Sequence, residues 1–165
     1  MTDTLHVTFV CTGNICRSPM GEVILRDLLA DGGLEDLVTV DSAATSTYEL
    51  GNPADPRTVA ELRRRGHDGT GHVAREFRPE WFAHTDLVLA ADRGHVRALR
   101  RWARTDAERE QVHLMREFDP AAVAAGTLEV DDPWYGDDTD FVRCFDEVEA
   151  ACRGVFEHLR ARLDR

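Results

Sequence analysis

A chain of 165 residues, 42% of them hydrophobic and 31% charged, is long enough to bury one core without disulfide or metal staples and is neither disordered nor fibrous in composition. The formal net charge of -11, from 20 basic against 31 acidic residues, argues against a nucleic-acid partner and requires any anion site to create its own positive field. All 20 basic residues are arginine, which excludes chemistry that needs lysine, including Schiff bases and the lysine-dependent P-loop of nucleotide hydrolases.

No apolar run approaches the roughly 18 residues of a membrane span. Met1, Thr2, Asp3 and Thr4 do not begin a basic region followed by an apolar core, so no signal peptide is expected. The expectation is one domain over residues 1–165, cytoplasmic and without a membrane partner. In that setting Cys11, Cys16, Cys144 and Cys152 do not form a disulfide framework, and their spacing is not that of a zinc site.

Residues 5–10 alternate and are rich in β-formers, which predicts a first strand. A turn-like stretch over residues 11–17 follows. Ser18-Pro19 then opens a helix, with Ser18 as N-cap and Pro19 at the first helical position. Met20, Val23, Ile24 and Leu28 form its buried face, with Leu25 a further candidate, and Gly32-Gly33 ends it. Residues 37–42 predict a second strand. Asp55-Pro56 opens a second helix that runs to Gly66 through Val59 and Leu62. Residues 86–90 predict a third, fully buried strand. Asp92 caps a helix carrying Val96 and Leu99. Residues 111–115 predict a fourth strand, and Asp119-Pro120 opens a short helix that stops by Gly126. Phe141, Phe145, Val148, Cys152, Val155 and Leu159, spaced 4, 3, 4, 3, 4, form one apolar stripe on a last helix of about 24 residues. This alternation predicts an α/β fold, a four-stranded parallel sheet with helices on both faces. In such sheets the binding crevice lies outside the carboxyl ends of the strands. The loop after the first strand is therefore the place to look.

That loop reads Cys11, Thr12, Gly13, Asn14, Ile15, Cys16, Arg17, Ser18. Successive backbone N–H groups leading into a helix N-terminus can curl around one anion. Arg17 can add a bidentate grip on two oxygens. Cys11 lies in the same positive field, where a cysteine pKa of about 8.5 falls to roughly 3.5–7.5. A thiolate under a bound phosphate is placed for in-line attack on phosphorus. Gly13 allows close approach to the anion, and Asn14 tolerates the left-handed backbone that a tight cradle needs. Beyond capping the helix, the Ser18 hydroxyl can donate to the Cys11 sulfur and ease its departure. A Cys-x5-Arg pattern alone is common by chance. Its placement between an apolar strand and a Ser-Pro helix start makes it specific.

Such chemistry also needs a general acid. Residues 131–138 form a Pro/Gly-bounded loop holding Asp131, Asp132, Trp134, Tyr135, Asp137 and Asp138. A carboxyl group among aromatics and other carboxylates has its pKa raised, as an acid requires. These residues alone fit an acid and a solvated acidic turn equally well.

With both segments in view, the chain resembles the low-molecular-weight protein tyrosine phosphatases from Val7 to about Leu159. The anchors are the residues 11–19 and the run Asp132, Pro133, Trp134, Tyr135, Gly136. The resemblance implies a four-stranded parallel sheet with the phosphate-binding loop after the first strand. It implies Cys11 as nucleophile, Arg17 as phosphate clamp and Asp132 as acid, then base for the attacking water. Asn14, Ser18, Ser42 and His72 match a polar network that supports the loop. Cys16 matches a second loop cysteine able to form a reversible disulfide with Cys11. Trp134 and Tyr135 match one wall of the substrate slot. Tyr48, at a position often occupied by tryptophan, matches the opposite wall. The family commonly has tyrosine where this chain has Trp134, so one phosphorylatable hydroxyl is missing. Ile15 stands where relatives that prefer phosphoarginine carry threonine, which favours phosphotyrosine.

The resemblance thus implies a phosphotyrosine-bearing protein or peptide as substrate and inorganic phosphate as product, with no cofactor and no metal. The rivals are a protein-arginine phosphatase, an arsenate reductase and an inactive phosphate-docking module. A reductase needs further cysteines that residues 80–92 lack, and a docking module has no use for Cys11 and Asp132 together.

Overall fold

The computed structural model describes residues 4–165; Met1, Thr2 and Asp3, on which the signal-peptide expectation partly rests, lie outside the described residues. Strands β1 (Leu5–Cys11), β2 (Val38–Ala44), β3 (Leu87–Ala90) and β4 (Val112–Leu114) form one parallel sheet in the order β2-β1-β3-β4. The helices are α1 (Arg17–Asp31), α2 (Pro56–Arg64), α3 (Arg93–Trp102), α4 (Asp106–Glu110), α5 (Pro120–Ala125) and α6 (Asp138–Leu163). The chain thus adopts the expected four-stranded parallel sheet with helices on both faces.

Strand alternation divides the core in two. Val7 and Phe9 of β1 join Leu87 and Leu89 of β3 on the face covered by α1 and α6. Val10, Val88, Ala90, Val112 and Leu114 face the other way, against Val96 and Leu99 of α3 and against Phe77 and Phe82. The whole stripe from Phe141 to Leu159 on α6 is buried. A β-carbon on Gly21 would overlap the Phe9 ring, so glycine there lets α1 settle directly on β1. That contact fixes the helix N-terminus against the end of the strand that leads into it.

β2 and β3 flank β1 on opposite sides. Crossovers leaving β1 and β3 therefore diverge, opening a crevice at their carboxyl ends. Cys11 ends β1 and Asp92 follows β3.

Several local expectations are corrected. α1 begins at Arg17, with Cys16 as an N-cap that makes no side-chain bond, so Ser18 does not cap the helix. Its hydroxyl turns inward to the Cys11 sulfur, the second contact expected of it. Leu25 and Leu29 are buried on α1, while Leu28 is half-buried. β2 runs two residues past the expected end, to Ala44. α4 and the 3-10 turns Pro79–His84, Met115–Phe118 and Pro133–Tyr135 are too short to show a period in sequence. Among the described residues, no helix is long and apolar enough to cross a membrane.

Candidate active site

The chain between β1 and α1 forms a cradle. Among the described residues, none of the N–H groups of Thr12, Gly13, Asn14, Ile15 and Cys16 donates to a protein acceptor. The carbonyls are tied outward: Thr45 N donates to Cys11 O at 2.9 Å, Ser46 Oγ to Thr12 O at 2.7 Å and Asp55 N to Ile15 O at 2.9 Å. With these carbonyls bonded on the outside, the loop N–H groups are left free of protein acceptors, the arrangement from which an anion nest is built.

Asn14 carries the turn. It is the one non-glycine residue with positive φ, 59°, among the described residues, a conformation that asparagine tolerates better than most. Its buried amide donates to Ser18 Oγ at 2.8 Å and Ser42 Oγ at 2.9 Å, and its Oδ1 accepts from Arg75 N at 3.1 Å. Ser42 in turn donates to Glu22 at 2.8 Å, and His72 Nε2 donates to Asn14 O at 2.6 Å. The four residues expected to act together, Asn14, Ser18, Ser42 and His72, are thus joined in one network. Glu22 and the Arg75 backbone complete it without having been picked out in the sequence. Cys11 Sγ lies 2.9 Å from Ser18 Oγ and accepts from Ser18 N at 3.4 Å.

Arg17 is buried. Its Nη1 donates to Asp92 Oδ2 at 2.9 Å and to Val130 O at 2.8 Å. Its Nη2 reaches Thr12 Oγ1 at 3.5 Å and lies 3.7 Å from Asp132 Oδ2. Nη1 is therefore committed to the protein, and the Nη2 edge faces the crevice. Burial alone would lower the Arg17 pKa. The charges of Cys11, Asp132 and Asp92 outweigh it and hold the guanidinium above its ordinary value.

Asp92 was legible only as a helix cap, which it is: it accepts from His95 N at 3.2 Å. Its second oxygen, on Arg17, has one sequence signal, a carboxylate placed directly after an apolar strand. His95 is buried, accepts from Asp92 N at Nδ1 (3.2 Å) and meets Thr12 Oγ1 with Nε2 at 2.8 Å. Burial pulls its pKa down to about 4, so the ring is neutral near pH 7.

Asp132 starts the 3-10 turn Pro133–Tyr135 and accepts from Trp134 N at 3.1 Å. Its side chain is 37% exposed and faces Arg17 rather than an enclosing apolar wall. Asp132, Trp134 and Tyr135 line one pocket of about 230 Å³ with Cys11, Arg17 and Tyr48. Tyr48 (84% exposed) and Tyr135 (85%) stand at its rim and Trp134 (45%) lies deeper. Thr12, Gly13, Ile15 and Cys16 also line it, as does Glu49, which the sequence reading did not single out. Gly13 packs under Glu49, whose Cγ a β-carbon would meet at 3.2 Å.

All four cysteines are free and buried. Burial pushes the Cys16 thiol up to about 12 and raises those of Cys144 and Cys152 as well. Both helix cysteines belong to the core. Among the described residues, no group of three or more His, Cys, Asp or Glu side chains gathers as a metal site.

The family model described as low molecular weight phosphotyrosine protein phosphatase matches residues 6–165. The chain is 48% identical over 161 residues to a low molecular weight protein-tyrosine-phosphatase of Streptomyces coelicolor, covering 98% of this chain and 97% of that one. It is 43% identical over 165 residues to low molecular weight protein-tyrosine phosphatase A of Mycobacterium tuberculosis, covering 100% of this chain and 98% of the relative. The crystal structure of a protein tyrosine phosphatase from Entamoeba histolytica, with Hepes in its active site, superposes with a TM-score of 0.89 at 28% identity, over 96% of this chain and 98% of that one.

Proposed function

The chain belongs to the low molecular weight phosphotyrosine protein phosphatases, hydrolases of phosphotyrosine, and from that premise we propose how its own residues carry the reaction. Residues 1–165 act as one phosphatase domain on a phosphotyrosine-bearing protein or peptide. The converging N–H groups of the loop and the Nη2 edge of Arg17 hold the phosphoryl oxygens. The Cys11 sulfur, as thiolate, attacks phosphorus while the bond to the tyrosyl oxygen breaks, and Asp132 gives that oxygen its proton. Asp132 then takes a proton from water as the water attacks the phosphocysteine. Inorganic phosphate forms and sulfur leaves, aided by the Ser18 hydroxyl. Tyr48, Trp134 and Tyr135 flank the substrate ring. The reading places this chemistry in the cytoplasm.

One observation carries this reading. The Cys11 sulfur is held 2.9 Å from the Ser18 hydroxyl, at a pocket that Arg17 and Asp132 line together. The test is turnover of an aryl phosphate and of a phosphotyrosine peptide by wild type and Cys11→Ser, with a chelator present. Turnover by wild type and none by the variant supports cysteine catalysis. A phosphoarginine peptide cleaved in preference to the phosphotyrosine one would transfer the reading to arginine phosphatase. A wild type that binds phosphate without turnover would make the chain a docking module.

A further inference from the structure

Thr12 lies at the pocket mouth, yet its hydroxyl has a built environment. A threonine hydroxyl offers one hydrogen and two lone pairs. Asp92 N–H can only donate, and it does so to His95 Nδ1 at 3.2 Å; Asp92 Oδ1 lies 3.3 Å from the same nitrogen without a hydrogen bond between them, so Nδ1 accepts and the proton of the neutral ring sits on Nε2. Nε2 therefore donates to Thr12 Oγ1 at 2.8 Å. Arg17 Nη2 donates to the same oxygen at 3.5 Å. Both lone pairs are occupied, and among the described residues no protein acceptor takes the hydroxyl hydrogen. Thr12 lines the same pocket as Cys11, Arg17 and Asp132.

We infer that Thr12 is a further donor to the bound phosphoryl group, and that His95 is the positioning residue that turns the Thr12 hydrogen into the pocket. The inference rests on the phosphatase reading above for the identity of the anion. His95 and Arg17 share one support. Asp92 Oδ1 accepts from His95 N and Asp92 Oδ2 accepts from Arg17 Nη1. The first turn of α3 thus sets a neutral donor and a charged clamp from the same carboxylate. It gives the β3 end of the sheet a direct hand in binding an anion whose cradle comes from the β1 end.

The test is calorimetric binding of inorganic phosphate to the full chain, with aryl phosphate turnover measured alongside. Thr12→Val should weaken phosphate about tenfold, the scale of one hydrogen bond to a charged group. Thr12→Ser should restore most of the affinity. His95→Ala should weaken phosphate several-fold in the wild-type background and add almost nothing in Thr12→Val, because its effect passes through that hydroxyl. Unchanged phosphate affinity in Thr12→Val overturns the inference, as does an equal His95→Ala cost in both backgrounds. If His95→Ala does not fold, the Thr12→Val and Thr12→Ser pair decides. Absence of turnover in wild type would remove the phosphatase reading, and the phosphate comparison would still decide this one.

Discussion

The loop at residues 11–18 and the loop at residues 131–137 meet across one pocket and are held in contrasting ways. The first is buried and tied by side chains: Asn14, Ser18, Ser42 and Arg17 are almost fully enclosed, and each makes two or more polar contacts. The second stands in solvent and is tied by caps. Asp132 holds Trp134 N, Asp137 holds the start of α6, and Arg57 reaches the carbonyls of Trp134 and Gly136. An anion nest gains by being rigid before the anion arrives, because its donors then need no reorganisation. An acid that must serve a departing phenol and then an incoming water needs access. Under the proposed mechanism the difference in burial matches that division of labour.

The largest expected effect falls on the open side. Asp132→Asn keeps shape and removes the transferable proton, so kcat should fall about 10²- to 10⁴-fold on a phenyl ester. The loss should shrink sharply on an ester whose leaving phenol is acidic enough to depart unaided. Equal losses on both esters would show that Asp132 does something other than protonate the leaving oxygen. On the buried side the expected loss is in stability. Asn14→Ala forfeits the amide bonds to Ser18, Ser42 and Arg75 and keeps a left-handed φ, at a cost of about 3 kcal/mol. Asn14→Gly removes the backbone part and should recover about 1 kcal/mol of it in urea unfolding. Identical midpoints for the two variants would mean that the backbone is not strained.

A pH titration sharpens the same contrast. The His95 pKa is pulled from 6.5 to about 4 by burial first; Arg17 adds to this, against Asp92, Asp132 and Glu129. The folded value lies below the unfolded one, so the unfolded chain binds the extra proton. Stability from this group is complete above pH 6.5 and drains as pH falls through that value toward 4, by about 3 kcal/mol in all. His95→Gln should flatten the unfolding free energy across that window. Asp41, Asp55 and Asp92 also have lowered pKa values, but from an unfolded value of 3.8, so they drain stability below it. His158, lowered too, contributes alike to both proteins and cancels in the difference. Parallel profiles for wild type and variant would refute a buried neutral His95.

Much of this was legible from spacing and residue type. The strand-turn-helix setting exposed Cys11 and Arg17, the period of α6 exposed its buried stripe, and Asp-Pro pairs marked helix starts. What stayed hidden depends on contacts between distant segments. Asp92 reads as a cap because capping is local, whereas its grip on Arg17 spans 75 residues. His95 looks like any polar residue in the first turn of a helix until the β1 loop is folded over it. Ser-Pro is a strong local signal for a capped helix start, yet Ser18 does not cap its helix. Its hydroxyl meets the buried Cys11 sulfur, the other contact expected of it, and α1 starts without a side-chain cap. Glu61, almost fully buried on α2 and paired with Arg64 and Arg65, had no sequence sign at all.

The smallest expected effect tests whether the open loop is braced as described. Arg57 lies over the Phe141 ring at 4.5 Å, is anchored by Asp55, and donates to Gly136 O at 3.2 Å and Trp134 O at 3.1 Å. These bonds are partly exposed, so each contributes at the low end of about 0.5–1.5 kcal/mol. Arg57→Ala should therefore lower the fraction of molecules with Asp132 in place by roughly two- to fivefold. The loss should appear in kcat on a phenyl ester and nearly vanish on the acidic-phenol ester, the pattern of Asp132→Asn at reduced scale. Phosphate affinity should hold, because among the described residues Arg57 bonds none of residues 11–18, and the tie that Asp55, its anchor, makes to the cradle runs from the Asp55 backbone N–H to Ile15 O, which Arg57→Ala leaves in place. A variant that lost phosphate affinity as well would show the two loops to be mechanically coupled, and the contrast between a rigid nest and an independently braced acid would have to be given up.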